Sequence, residues 1–322
     1  MDLIYTNSLR KDIGVISNFY LDLEQSVKKG QNTFEIKLAR KTNVLEIGNY
    51  IYIEGTEYGG VVDSFKVETA KQTIIHSGRT WRGILEGKII EPDANAAYLT
   101  VSGDANTIIG NLLERTALSD LFEANSVASE ISINSYQFDR YTDLYSGLIK
   151  MLSKAGAKLH IEYRKQRVVL SAKLIDDYSK QSELTSDMFD FTMKKTSNTV
   201  NHLIGLGTGE LTERQIVHKY VGANGEIQNE QYFTGLNEIS DTYEVNCESF
   251  DELNEKTEEA LSKKAVSDSL KVTANNLMAD LGDKFTACDV ELDISVTQYV
   301  INKIITIEDG FTKTKYEVGD TL

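Results

Sequence analysis

Strand-like runs hold both ends of this 322-residue chain, while helical stripes are confined to its middle and one later segment, and that order limits the folds open to it. Thr33-Phe34-Glu35-Ile36-Lys37-Leu38 alternates polar and apolar with a period of two. Tyr50–Ile53 and Gln72–Ile75 are rich in β-branched and aromatic residues. Runs of this kind suit a pleated surface with one buried face. Turn signals at Lys29-Gly30-Gln31-Asn32, Ile47-Gly48-Asn49 and Tyr58-Gly59-Gly60 separate them. Short strands at such spacing, with no long helix between them, predict a small antiparallel barrel or sandwich over residues 1–94.

The pattern changes after Pro92, the single proline. Ser102 or Asp104 is placed to cap a helix with apolar positions Ile108, Ile109, Leu112 and Leu113. A second helix is predicted from about Tyr141, with Leu144, Leu148, Met151, Leu152 and Ala155 on one face and Gly156 at its end. Lys158–Tyr163 and Val168–Ala172 read as two strands, so residues 95–188 form a separate α+β unit. Strand patterns return at Phe189–Lys194, Val200–Leu206, Gln215–Val221 and Ile227–Tyr232, with Asn224-Gly225 as a two-residue hairpin signal. Ser249-Phe250-Asp251-Glu252 is a capping box that opens a helix carrying Leu253, Ala260, Leu261 and Ala265. Asp289–Val296, Lys303–Glu308 and Thr314–Val318 close the chain as strands, with Asp309-Gly310 as a turn. The expected fold is α+β and β-rich. It has two small antiparallel β-barrel domains (residues 1–94, and 189–246 with 273–322), an α+β domain between them, and a helical insertion at 247–272 in the second barrel.

Charge and chemistry narrow the function. Forty-nine Asp and Glu against 34 Lys and Arg leave a net charge of −15, which disfavours nucleic-acid binding and anionic membranes. No apolar run is long enough to span a bilayer. The N-terminus shows no signal peptide. Cys247 and Cys288 form no CxxC pair, so both are expected as reduced thiols in a protein made in a reducing cytoplasm. His76, His160, His202 and His218 lack the HExxH arrangement; His202 and His218 fall in strands and are placed to face each other across a sheet, although ordinary structural histidines are the expectation. Gly205-Leu206-Gly207-Thr208-Gly209 leads toward a strand rather than a helix, so it reads as a turn or bulge and not a phosphate cradle. GxSxG is absent, and the abundant carboxylates come with no cleft motif. No enzyme, cofactor or metal is therefore expected. Arg79-Thr80-Trp81-Arg82-Gly83 holds the only tryptophan. Arg79, Trp81 and Arg82 are candidate interface residues, since Trp and Arg are enriched at binding hot spots; the competing reading is a core Trp81 that closes the first barrel, with an arginine paired to nearby acids.

Taken in order, several stretches resemble one family. Ile75-His76-Ser77-Gly78-Arg79-Thr80-Trp81-Arg82-Gly83-Ile84-Leu85 with Lys88-Ile89-Ile90-Glu91-Pro92 is similar to the segment that closes the first domain of bacteriophage tail hub proteins. Asn201–Gly207 with Gly209-Glu210-Leu211 resembles the strand opening their second barrel. Gly282-Asp283-Lys284-Phe285, Ser295–Gln298, Lys303–Ile305 and Tyr316–Gly319 resemble their closing strands. The similarity is nearest to the YqbQ/XkdQ-type tail proteins and related siphophage tail proteins, and it rests on the order of weak motifs over nearly the whole chain. The resemblance implies a baseplate hub in the tail of a virion or phage-like particle, made in the host cytoplasm. Three subunits form a ring, and two barrels from each give six similar barrels facing the hexameric tail tube. A spike or tip protein takes the opposite face, and a tape-measure protein is a further implied partner. Many siphophage relatives carry a C-terminal adhesion or wall-degrading extension; here Leu322 follows soon after the last strand, which favours a plain hub of a contractile tail, prophage or phage-tail-like bacteriocin. The alternatives are a tail-associated cell-wall hydrolase and a receptor- or carbohydrate-binding tip protein.

Overall fold

The computed structural model describes residues 2–178, 184–185, 190–194, 199–247, 249–265, 269–273, 279–289, 291, 294–308 and 310–319. The first seven strands are β1 (Leu3–Thr6), β2 (Asp12–Ile16), β3 (Tyr20–Ser26), β4 (Thr33–Ala39), β5 (Tyr50–Tyr52), β6 (Gly59–Glu68) and β7 (Thr73–Thr80). They pair antiparallel in the order β3-β4-β7-β6-β5-β1-β2. The period of two in β4 is real: Phe34, Ile36 and Leu38 are buried and the residues between them are exposed. Leu21 and Leu23 of β3 stand opposite Ile36 and Phe34 and fill the same core. Gly30 and Gly48 take the positive φ that their expected turns require. Gly59 and Gly60 do not form the turn expected of them; they open β6. Gly60 lies so close to β7 that a Cβ there would sit 2.1 Å from the Arg79 carbonyl oxygen.

Helix α1 (Trp81–Glu86) follows β7, and the Thr80 side chain accepts a hydrogen bond from the Gly83 amide at its start. The next elements are β8 (Thr100–Asp104), α2 (Ala105–Arg115), β9 (Phe122–Ala124), β10 (Ser132–Gln137), α3 (Leu144–Lys154), β11 (Ala157–Arg164) and β12 (Arg167–Leu174). Asp104, rather than Ser102, caps α2 by accepting from the Asn106 and Thr107 amides. Asp143 caps α3 through the Ser146 amide. Leu144, Leu148, Met151 and Leu152 are buried, each burial contributing roughly 1.5–3 kcal/mol, and Gly156 has the expected positive φ. The helices pack on the sheet β11-β12-β9, and this core runs on without a break to Trp81 and Tyr52.

The C-terminal strands join the first sheet. They are β13 (Leu184–Thr185), β14 (Asp190–Lys194) and, after an excursion, β19 (Ser269–Thr273), β20 (Lys284–Asp289), β21 (Ile294–Glu308) and β22 (Phe311–Gly319). The full path is β14-β19-β22-β21-β3-β4-β7-β6-β5-β1-β2, with β13 and β20 branching from β21. The 15-residue β21 makes the junction. Ile294–Tyr299 pair with β20 and Asn302–Glu308 with β3, and the register shifts between Val300 and Asn302. Ile305 and Ile307 complete the core of the first sheet. One strand expected at Asp289–Val296 is instead divided between the end of β20 and the start of β21, with residues 290, 292 and 293 outside the described residues. Phe189 and Asp309, from the expected strand and turn, also lie outside them.

The excursion contains β15 (His202–Leu206), β16 (Ile216–Val221), β17 (Ile227–Gln228), β18 (Ser240–Glu244) and α4 (Phe250–Ala265). The chain divides into two compact units, residues 1–192 with 270–322, and residues 193–269. The domain boundaries therefore differ from expectation at this point: residues 202–244, expected to share a barrel with 273–322, form their own sheet in the order β17-β16-β15-β18. The capping box is present, with Ser249 Oγ accepting from the Glu252 amide at 3.2 Å. The α4 stripe Leu253, Thr257 and Leu261 is buried against this sheet. Close seating explains Gly205, where a Cβ would lie 2.0 Å from Thr257 Oγ1. Asn224-Gly225 makes its hairpin turn, although β17 is shorter than the run Ile227–Tyr232 suggested. The fold is β-rich, with four α-helices and several antiparallel sheets among the described residues.

Candidate functional site

Three clusters of polar side chains repay inspection, beginning with the segment around the only tryptophan. Trp81 is completely buried, its ring stacked near Tyr163 and Tyr50 at centroid distances of 5.4 and 6.3 Å. Arg82 is also buried and forms an ion pair with Glu57. Its guanidinium also donates to Tyr145 Oη and the Leu159 carbonyl, both at 3.2 Å, and Tyr145 in turn donates to the Ser26 carbonyl at 2.6 Å. Burial opposes the Arg82 charge, but Glu57 and Tyr145 together outweigh it and hold the pKa above its ordinary value. Arg79 differs: it grips Asp63 with two 2.8 Å hydrogen bonds and its side chain is half-exposed. Of the three candidate interface residues, Trp81 and Arg82 thus lie inside the chain, and Arg79 alone reaches solvent.

The second cluster was not legible in the sequence. Lys158, on β11, has a side chain only 3% exposed, and its ammonium meets Asp283, 1% exposed. Asp176 Oδ2 lies 2.9 Å from Nζ and Asp280 Oδ2 3.6 Å away. Asp283 also accepts from the Asp280 amide at 2.8 Å and the Asp176 amide at 3.1 Å. Burial lowers the Lys158 pKa, yet the three carboxylates outweigh it and the net direction is up. Asp283 is pushed up by burial in spite of Lys158. His160 and Lys303 flank Asp280 and hold its carboxyl below the usual range. This cluster ties β11 to the segment that leads into β20.

The third cluster lies in the unit of residues 193–269. His202 and His218 do face each other across β15 and β16, with His202 Nε2 2.9 Å from His218 Nδ1. Glu238 Oε1 lies 2.6 Å from the other ring nitrogen of His202, and Ser240 Oγ lies 3.1 Å from it. Tyr220 stacks on His202 at 4.4 Å.

None of these clusters places a nucleophile and a base in a cleft. Surface features are modest. A groove of 420 Å³ on the outer face of β4, β6 and β7 is lined by Glu35, Lys37, Lys66, Glu68 and Lys71 among others, and Lys71 and Lys66 hold the Glu68 carboxyl down at about 2. Edge strand β2 shows Ile13 and Val15 to solvent, each more than half exposed. Cys247 is a buried free thiol; the Cys288 side chain lies outside the described residues. Among the described residues no group of three or more His, Cys, Asp or Glu side chains is placed to hold a metal ion, and no helix is long and apolar enough to cross a membrane.

No protein-family model matches the sequence, and no curated protein matches it either. Solved structures do. A 43 kDa tail protein of prophage MuSo2 from Shewanella oneidensis superposes with a TM-score of 0.59 at 10% identity, covering 99% of this chain and 98% of that one. A tail protein from Neisseria meningitidis MC58 gives 0.56 at 12% identity, covering 98% and 95%. Prophage tail protein gp18 from Listeria monocytogenes EGD-e gives 0.51 at 12% identity, covering 98% and 94%. The chain has the fold of these phage tail proteins. The match runs end to end, so it takes in both compact units and the order in which they occur along the sequence.

Proposed function

We propose that the chain is the structural hub of a phage or phage-like tail baseplate. Three copies form a ring, and each brings two small barrels. One is built from β1–β7 and the other from β13, β14 and β19–β22, with β21 as the strand common to both. Six similar barrels then face a hexameric tail tube, and a spike or tip protein takes the other side. The reading is carried by one observation, a fold shared over nearly the full length of both chains with prophage tail proteins. Two features support it. Among the described residues edge strand β2 pairs only with β1, and it carries exposed Ile13 and Val15, an edge that a neighbouring subunit would cover. Three chains at −15 each carry −45, a charge that lets DNA or a tape-measure protein pass the ring without adhering.

Light scattering on the purified chain, with and without co-expressed tube and spike proteins, tests this. A mass three times that of the chain in at least one of these mixtures, with ring-shaped particles in electron micrographs, is the expected result. A monomer in every mixture refutes the reading, as does release of muropeptides from purified peptidoglycan by the chain alone.

A further inference from the structure

The histidine pair has a chemistry that the hub reading does not use. β15 and β16 run antiparallel with His202 opposite Tyr220 and His218 opposite Ile204, so the two histidines are diagonal neighbours on one face of the sheet. α4 takes the other face, where Gly205 abuts Thr257. The histidine face is therefore free of α4, and His218 is exposed.

Hydrogen-bond chemistry fixes the state of His202. The Glu238 carboxylate accepts hydrogen bonds, with His202 Nδ1 2.6 Å and Ser240 Oγ 3.0 Å from its Oε1. The ring nitrogen 2.6 Å from it, Nδ1, must then carry the proton. With Nδ1 as the donor to Glu238, His202 presents its Nε2 to Nδ1 of His218 at 2.9 Å. Two imidazole nitrogens thus lie 2.9 Å apart, hydrogen-bonded to each other, and a carboxylate holds the first ring from behind. A carboxylate behind the far nitrogen of a metal-ligating histidine fixes its tautomer and raises its basicity.

We propose that His202 and His218 form a two-histidine site for a transition-metal ion that favours nitrogen, such as Zn²⁺, Ni²⁺ or Cu²⁺, with Glu238 as its positioning residue. Metal–nitrogen bonds of about 2.0–2.1 Å to a tetrahedral ion put the two nitrogens roughly 3.4 Å apart. The observed 2.9 Å separation opens by that small amount through rotation of the exposed His218 ring. The proton on His218 Nδ1 moves to its Nε2 through solvent, so no net proton is released. Water fills the remaining coordination positions. Hard cations are excluded, because Ca²⁺ and Mg²⁺ take oxygen ligands rather than imidazole.

The test uses the full chain without a polyhistidine tag, titrated with Zn²⁺ against a chromophoric chelator in a non-coordinating buffer. One ion per chain is expected, with no response to Ca²⁺ or Mg²⁺. His218→Ala removes an exposed ring and leaves the sheet intact by circular dichroism, and it should weaken Zn²⁺ binding at least tenfold; Glu238→Gln should weaken it about 10–100-fold. His160→Gln, in the other compact unit, should leave binding unchanged. Absence of saturable one-to-one binding, or equal affinity in the wild type and His218→Ala, overturns the proposal.

Discussion

Replacing Lys158 with methionine keeps the aliphatic length of the side chain and removes its charge. Three carboxylates then lose a common counter-ion. Asp176 and Asp280 are substantially exposed and can turn to water, but Asp283 is 1% exposed and, among the described residues, keeps only two backbone amides as partners. Stranding one member of a buried ion pair costs about 3–5 kcal/mol. At about 2–4 °C per kcal/mol, the melting temperature should fall by roughly 6–20 °C near pH 7. The pH dependence gives a second check. Burial already raises the folded-state pKa of Asp283 above its unfolded value, and loss of Lys158 raises it further. A carboxyl shifted in this direction costs stability above its folded pKa and returns it as pH falls through that pKa. The gap between Lys158→Met and wild type should therefore narrow on acidification. Lys158→Met/Asp283→Asn, which removes the stranded charge, should recover at least half of the loss. Urea denaturation from pH 4 to 8 reads the wild type and both variants. A Lys158→Met protein within about 1 kcal/mol of wild type at pH 7, or a double variant no better than the single, would refute the reasoning.

The closing segment of the first sheet offers a contrast within a few residues. Trp81→Ala should cost about 3–5 kcal/mol because it empties a fully enclosed space beside Tyr163, whereas Arg79→Ala, which breaks a half-exposed pair with Asp63, should cost less than about 1 kcal/mol; equal losses by thermal melting would contradict the placement of the two side chains. Gly78→Ala should destabilise by about 1–3 kcal/mol or more, because the new Cβ would sit 1.9 Å from the Val61 carbonyl oxygen and backbone cannot yield; an unchanged denaturation midpoint would count against the β6–β7 register.

Local features of the fold were legible in the sequence, and distant pairings were not. The β4 alternation, the α3 stripe, the Ser249 cap and the Asn224-Gly225 turn depend on residues a few positions apart, and each is present. α1 was missed because six residues carry too little periodicity to stand out from the strand before them. β21 is expected only at its two ends, from the runs Asp289–Val296 and Lys303–Glu308, and not across the residues between them. Gln298 and Asn302 are polar yet buried in its first part, near the point where the strand changes partner from β20 to β3, and buried polar residues imitate an exposed face. Lys158 misleads in the same way, since it reads as the solvent side of β11. Its partner Asp283 lies far along the sequence, within the Gly282-Asp283-Lys284-Phe285 stretch. The division of 189–322 between two units failed for a related reason: period-two runs say that a strand exists and which face is apolar, but not which strand it joins. The histidine pair was anticipated because His202 and His218 occupy two adjacent strands; Glu238, which orients the first ring, lies just before β18 and gave no signal.

The most direct measurement is a cryo-electron microscopy reconstruction, without imposed symmetry, of the chain assembled with its tube and spike partners. The account predicts three copies around a central channel, with β1–β7 and β13, β14, β19–β22 alternating at six nearly equal angles toward the tube. Any other copy number, or a three-copy ring in which these two strand groups do not superpose on each other, contradicts it.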